Sequence, residues 1–130
     1  ALRHAAPNMT PDILVKAHKA NLQGDTAQDV HEWEAANRCF HRTILEPCQM
    51  PRLMRSIDDL QAACARFILR AWRTNWESRT DHDHRKILEA LRKGQVDLAC
   101  STLSRHVGWI GKRSRTLKNQ AGTDSSEFFR

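Results

Sequence analysis

Four side chains in this sequence combine metal-binding chemistry with positions where apolar residues are expected: Asn37, His41, His84 and His106. At 100° per residue, Val30, Trp33, Phe40 and Ile44 form one apolar stripe; Asn37 falls in its middle, and His41 lies one turn later on the same side. Ile87, Leu88 and Leu91 form a second stripe, which His84 extends. Ala99, Leu103, Val107 and Ile110 form a third, with His106 at its edge. His18 and His82 point away from their stripes, His31 lies off the centre of its own, and His4 sits at the start of the chain. A buried polar group costs about 1–3 kcal/mol unless it finds a partner. One histidine on an apolar stripe is ordinarily a satisfied core or rim residue. Three on separate helices, with an amide beside one of them, find their simplest common partner in a divalent metal ion. Neutral imidazole is the commonest nitrogen ligand, and an amide oxygen can take a further position. Zinc is the first expectation, with nickel, manganese or iron as alternatives, and positions stay open on the metal for water or a ligand.

The elements that must carry these residues are helices. Thr10-Pro11-Asp12 supplies a cap, a proline at the first helical position and an acid in the first turn. That helix carries a stripe of Ile13, Leu14, Ala17, Ala20 and Asn21, and Gly24 is expected to end it. A second helix is expected from Asp25 or Thr26 to about Glu46, before Pro47. Pro51 opens a third, to about Trp76, with a stripe of Leu53, Ile57, Leu60, Cys64, Phe67, Ile68 and Ala71, which places Cys64 in the core. Thr80 or Asp81 caps a shorter helix ending at Gly94, and a last one runs from about Gln95 to Leu117. No segment alternates with period two, so no strand is expected. The fold class is all-α, an antiparallel helical bundle. His84 precedes Gly94 by 10 residues and His106 follows it by 12. At a rise of ~1.5 Å per residue both lie about 15–18 Å from the turn of a helix hairpin, so their levels agree.

Composition narrows the class. The chain has 130 residues, 40% hydrophobic and 28% charged, with only 5 glycines and 4 prolines. That is the balance of one globular domain, not of a disordered or fibrous chain. No stretch approaches the ~20 apolar residues of a membrane span, and no secretory signal is visible. Cys39, Cys48, Cys64 and Cys100 form no CxxC pair, which excludes a zinc ribbon or a thioredoxin-like site and suits a reducing, cytoplasmic setting. Residues 1–65 carry a net charge of −1 and residues 66–130 a net of +7. A solvated basic helix face accounts for this without nucleic acid, and Lys112, Arg113, Arg115 and Lys118 suit a helix C-terminus.

Asn37-Arg-Cys-Phe-His41-Arg, then Asp83-His84-Arg-Lys-Ile-Leu-Glu-Ala-Leu-Arg-Lys-Gly94, then Leu103-Ser-Arg-His106 resembles the effector-binding (FCD) domain of GntR-family transcriptional regulators, FadR subclass. In that family an Asp or Asn is followed four residues later by His, then by a His heading the next motif, then by a third His; here the steps are 4, 43 and 22. The likeness covers about residues 10–117. It implies a bundle whose cavity holds a divalent metal, ligated here by Asn37, His41, His84 and His106, with a small carboxylate metabolite completing the coordination. Effector binding would then shift how a winged-helix DNA-binding domain docks. Asn in place of the commoner Asp lowers the negative charge of the site.

Residues 1–9, closed by Pro7-Asn8, read as the remnant of a preceding helix, 10–118 as the effector-binding bundle and 119–130, with its Gly, Thr and Ser, as a flexible tail. The winged-helix domain is expected outside this chain, so any DNA contact is made only through it, and a homodimer is expected. Arg42, Asn75 and Arg105 are candidate effector contacts. Arg66, Arg70 and Arg73 suit a solvated or subunit-contact face, and Trp72, Trp76 and Trp109 suit packing or dimer contacts. Two other readings stay open. A helical metalloenzyme would need a general base, and the stripes offer no acid nearer the histidines than Glu34. A metal-free interaction module would hydrogen-bond the histidines to one another, to water or to a ligand.

Overall fold

Pro11 and Thr10 begin the first long helix as their chemistry dictates: Thr10 Oγ1 accepts from the Ile13 backbone N–H at 3.3 Å, and α2 runs Pro11–Asp25. It is preceded by a single helical turn, α1 (Leu2–Ala5), and a 3-10 turn at Ala6–Asn8. α3 spans Val30–Leu45 and continues into a 3-10 turn at Glu46–Cys48. α4 spans Pro51–Trp72 and α5 His82–Arg92; α6 begins at 96 and is helical through 108. The computed structural model describes residues 1–72 and 81–108, with backbone alone at 71 and 72. The expectations for Asn75, Trp76, Trp109, the basic run after residue 111 and the tail lie outside the described residues. Among the described residues every regular element is helical, which is the all-α bundle expected.

Two boundaries differ from expectation. Gly24 does not end α2 in a left-handed turn. It lies inside the helix, buried against α3, where a Cβ would stand 3.7 Å from the Ala36 Cβ. With Ala17 and Ala20, also buried, it forms a small-residue face that lets α2 and α3 lie close together along their length. The start of α3 comes later than expected because Asp29, not Asp25, is its cap: Asp29 Oδ1 accepts from the Glu32 N–H at 2.9 Å, and Glu32 reaches back to the Gln28 N–H at 2.9 Å. Asp25 is engaged elsewhere, as described below. At the other end of α5, Gly94 has φ +67°, the left-handed geometry that closes a helix where the chain must reverse.

The main core joins α2, α3, α5 and the start of α6 through Ala17, Ala20, Phe40, Ile44, Ile87, Leu88, Leu91 and Ala99, with Leu2 and Ala5 of α1 sealing one end. Phe40, Ile44, Ile87 and Leu88 are the largest fully buried side chains, each worth about 1.5–3 kcal/mol of transfer free energy. Asn8 Nδ2 donates to the Pro47 carbonyl at 2.8 Å and ties the N-terminal segment to the turn after α3. A second cluster, Ala27, Val30, Trp33 and Ile68, joins α3 to α4.

α4 corrects one expectation. Its buried line runs through Met54, Ala65 and Ile68, whereas Cys64 is exposed, as are Leu60 (67%) and Phe67 (52%). The residues that face α3 decide burial here, and small Ala65 permits the approach; the wider apolar stripe extends past the contact. α6 corrects another: its buried line is Ala99 and Thr102, with Leu103 and His106 partly covered, while Val107 is half exposed. His106 is therefore nearer the middle of the inward face than the stripe implied.

Candidate metal centre

His41 comes from α3, His84 from the first turn of α5 and His106 from α6, and their imidazoles meet. His84 Nε2 lies 3.3 Å from His41 Nε2 and 3.1 Å from His106 Nε2, and donor atoms of all three lie within 4.8 Å of one another. His41 and His84 are buried, each 3% exposed, and His106 is partly buried. Phe40, the neighbour of His41, stacks on the His84 ring with centroids 3.8 Å apart and planes 15° from parallel. A core aromatic thus fixes the plane of the central imidazole.

Neighbours bear on which nitrogen carries hydrogen in two of the rings. Asn21 on α2 places its Oδ1 3.2 Å from His84 Nδ1, while its Nδ2 turns toward Asp25 Oδ2 at 3.5 Å. An amide oxygen only accepts, so His84 Nδ1–H donates to Asn21 and Nε2 is left with its lone pair. Asp83 Oδ2 lies 3.6 Å from His106 Nδ1; its charge favours hydrogen on that nitrogen and a bare Nε2 facing the centre. Burial, with the His106 ring beside it, pushes the His84 imidazole down to about 2. Burial, then the two neighbouring histidines, holds His41 well below the ordinary imidazole range. His41 and His84 therefore stay neutral, the state a metal requires.

Bare nitrogens 3.1 Å apart repel unless a cation lies between them. Donor atoms around an ion with ~2.1 Å bonds stand about 3.0–3.4 Å from one another, in octahedral or tetrahedral arrangements respectively, and the observed separations match. A second sign lies beside them. Asn37 Oδ1 is buried and has no hydrogen-bond partner, and Asn37, Asn21, Asp25, Asp81 and His84 line a cavity of about 10 Å³. The donor set fits a divalent ion: His41, His84 and His106 would hold it, with Asn37 as the amide candidate, and the ion would supply positive charge and open positions for an anionic ligand.

The other expected residues fall differently. Arg42 pairs with Asp58 of α4 and with Glu46 of the turn after α3, beside an open groove of about 360 Å³ that also includes Met50, Met54 and Arg55. Its charge is committed there rather than to the histidine cluster. Arg105 pairs with Asp83 at 3.1 Å, one side chain removed from His106, and borders an open groove of about 740 Å³ shared with His18 and Arg85. Glu34 is buried and pairs with Arg38 at 3.4 Å.

The expectation that no nearer acid accompanies the histidines is overturned. Asp81 Oδ2 lies 3.5 Å from His84 Nε2 and 3.8 Å from His106 Nε2. Sequence reasoning saw Asp81 only as a helix cap, and Asn21 only as a member of its stripe. Asp81 is indeed the cap: its Oδ1 accepts from the Asp83 and His84 backbone N–H groups, each at 3.1 Å. Its own N–H donates to Asp25 Oδ1 at 3.1 Å, and Asp25 Oδ2 receives Arg85 at 2.6 Å. The available signal was an aspartate cap three residues before a stripe histidine, which spends one carboxylate oxygen and leaves the other free to turn inward.

The FCD domain family matches residues 1–108. With its three inward histidines on an all-α frame, the chain belongs to the FCD domain family, the effector-binding type of domain found in GntR-family regulators and regulatory rather than catalytic in kind. No curated protein and no solved structure matches the chain. Among the described residues, no helix is long and apolar enough to cross a membrane.

Proposed function

We propose that this domain is the metabolite sensor of a bacterial transcriptional regulator of the GntR family, FadR subclass. In this reading His41, His84 and His106, with Asn37, hold one divalent cation, zinc first among the candidates. A small carboxylate metabolite binds the open positions of that ion. Binding shifts the balance between arrangements of the domain and so controls DNA binding by a winged-helix domain outside these residues, in a cytoplasmic homodimer. Arg105, through Asp83, is placed to respond to an arriving anion. The observation that carries the reading is the convergence of three imidazoles, with His84 Nε2 3.3 Å from His41 Nε2 and 3.1 Å from His106 Nε2.

A ligand can shift a conformational balance only by its difference in affinity for the two states. A buried dication supplies such a difference, since an anion that reaches it gains far more there than in water. The test is a melting screen of zinc-loaded protein against small mono- and dicarboxylates. A ligand at a hundred times its Kd adds about 2.7 kcal/mol of stability. The shift is expected to shrink when the metal is stripped; an undiminished shift in metal-free protein would contradict the reading.

A further inference from the structure

We propose that Asp81 is the anionic protein ligand of this metal centre, binding the ion through Oδ2 while Oδ1 caps α5. The inference rests on the metal reading above and adds a residue to it. Three neutral imidazoles and an amide bring no negative charge to a buried dication, and a carboxylate within reach removes much of that cost. Asp81 is the carboxylate that approaches the facing nitrogens. Its Oδ2 stands 3.5 Å from His84 Nε2 and 3.8 Å from His106 Nε2, too far for hydrogen bonds and close to the separation of two ligands on one ion.

The hydrogen inventory points the same way. His84 gives its hydrogen to Asn21 from Nδ1, which leaves a lone pair at its Nε2. His84 Nε2 and the Asp81 oxygen then face each other with lone pairs and no hydrogen of their own between them. A cation among them turns that repulsion into coordination.

The carboxylate is also held for the task. Oδ1 is fixed by two backbone N–H groups at 3.1 Å, and the Asp81 N–H is anchored on Asp25, itself paired with Arg85. The side chain is only 17% exposed. An aspartate held at one oxygen has a single orientation left for the other, so little entropy is lost when that oxygen takes up a metal.

The experiment measures Zn²⁺ affinity by competition with a chromophoric chelator, for the wild-type chain, Asp81→Asn and Asp81→Ser. Asparagine and serine both serve as N-caps, so the helix start survives while the charge is lost. Both variants are expected to bind Zn²⁺ at least about tenfold more weakly than wild type, with metal-free melting temperatures close to the wild-type value. Affinity unchanged in both variants overturns the role of Asp81 and leaves the histidine centre standing. No Zn²⁺ binding by the wild-type chain overturns the metal reading itself, and the Asp81 proposal with it. A measurement that needs no variant accompanies these: the Asp81 carboxyl ¹³C resonance of the wild-type protein should move on addition of one equivalent of Zn²⁺. A resonance that stays in place while the histidine signals shift contradicts the proposal.

Discussion

His84 touches every part of the site: Asn21 at one ring nitrogen, His41 and His106 at the other, and Phe40 across its face. Replacing it with alanine removes the shared donor and is expected to weaken metal binding at least about a hundredfold, measured by chelator competition; His106→Ala should do the same. Asn21→Leu keeps the branched shape but frees the ring to change tautomer, and should cost about 10–100-fold in metal affinity. Acid should act through the same residue in metal-free protein. The folded state holds His84 neutral down to about 2, whereas in the unfolded chain the group takes a proton below about 6.5. The unfolded state binds the extra proton, so stability is complete above pH 6.5 and falls as pH drops toward 2. Each such group contributes a slope of up to about 1.4 kcal/mol per pH unit, read by denaturant titration across pH; a flat profile between pH 6.5 and 4 would contradict it. The three histidines were legible because polar side chains on apolar stripes are conspicuous. Asn21 carried the same signal but lies on another helix, and nothing in a linear pattern shows which ring it meets. Asp81 was hidden because capping explains an aspartate there completely, until geometry shows the second oxygen.

The helices succeed as carriers because turn chemistry sets where each begins. Gly94, at φ +67° with nothing within 4 Å of an added Cβ, closes the turn between α5 and α6 and so sets His84 and His106 at matching levels. Gly94→Ala should destabilise the domain by about 1 kcal/mol through backbone strain alone, measured by denaturant unfolding. Metal affinity should fall less than in any histidine variant. The caps of α2 and α5 and the Gly94 turn follow from local chemistry and were legible. The start of α3 was not, because two aspartates compete for the role and tertiary contacts draw Asp25 to Arg85 and the start of α5. The face of α4 was not legible either. Hydrophobic periodicity gives the apolar side of a helix, but the neighbour decides how much of it is covered, and α3 covers the line through Met54, Ala65 and Ile68 while leaving Cys64 exposed.

At the scale of the molecule, the described helices pack around a core that has a polar centre. Phe40 lies across the His84 ring, and burial keeps His41 and His84 neutral, so a shared cation would satisfy them. Metal loading should therefore raise the melting temperature of the whole domain, and chelation should lower it reversibly. The FCD architecture was legible from three short motifs in their order and spacing, whereas the anionic side of the centre was visible only after folding brought residue 81 against residue 106. Three imidazoles, not the four cysteines, are expected to grip one ion. X-ray absorption of the protein carrying one equivalent of zinc tests it most directly. About one zinc should be retained per chain, with nitrogen and oxygen scatterers at ~2.0–2.2 Å and the outer-shell pattern of three histidine rings. Sulfur scattering at ~2.3 Å, or no zinc retained after desalting, would contradict it.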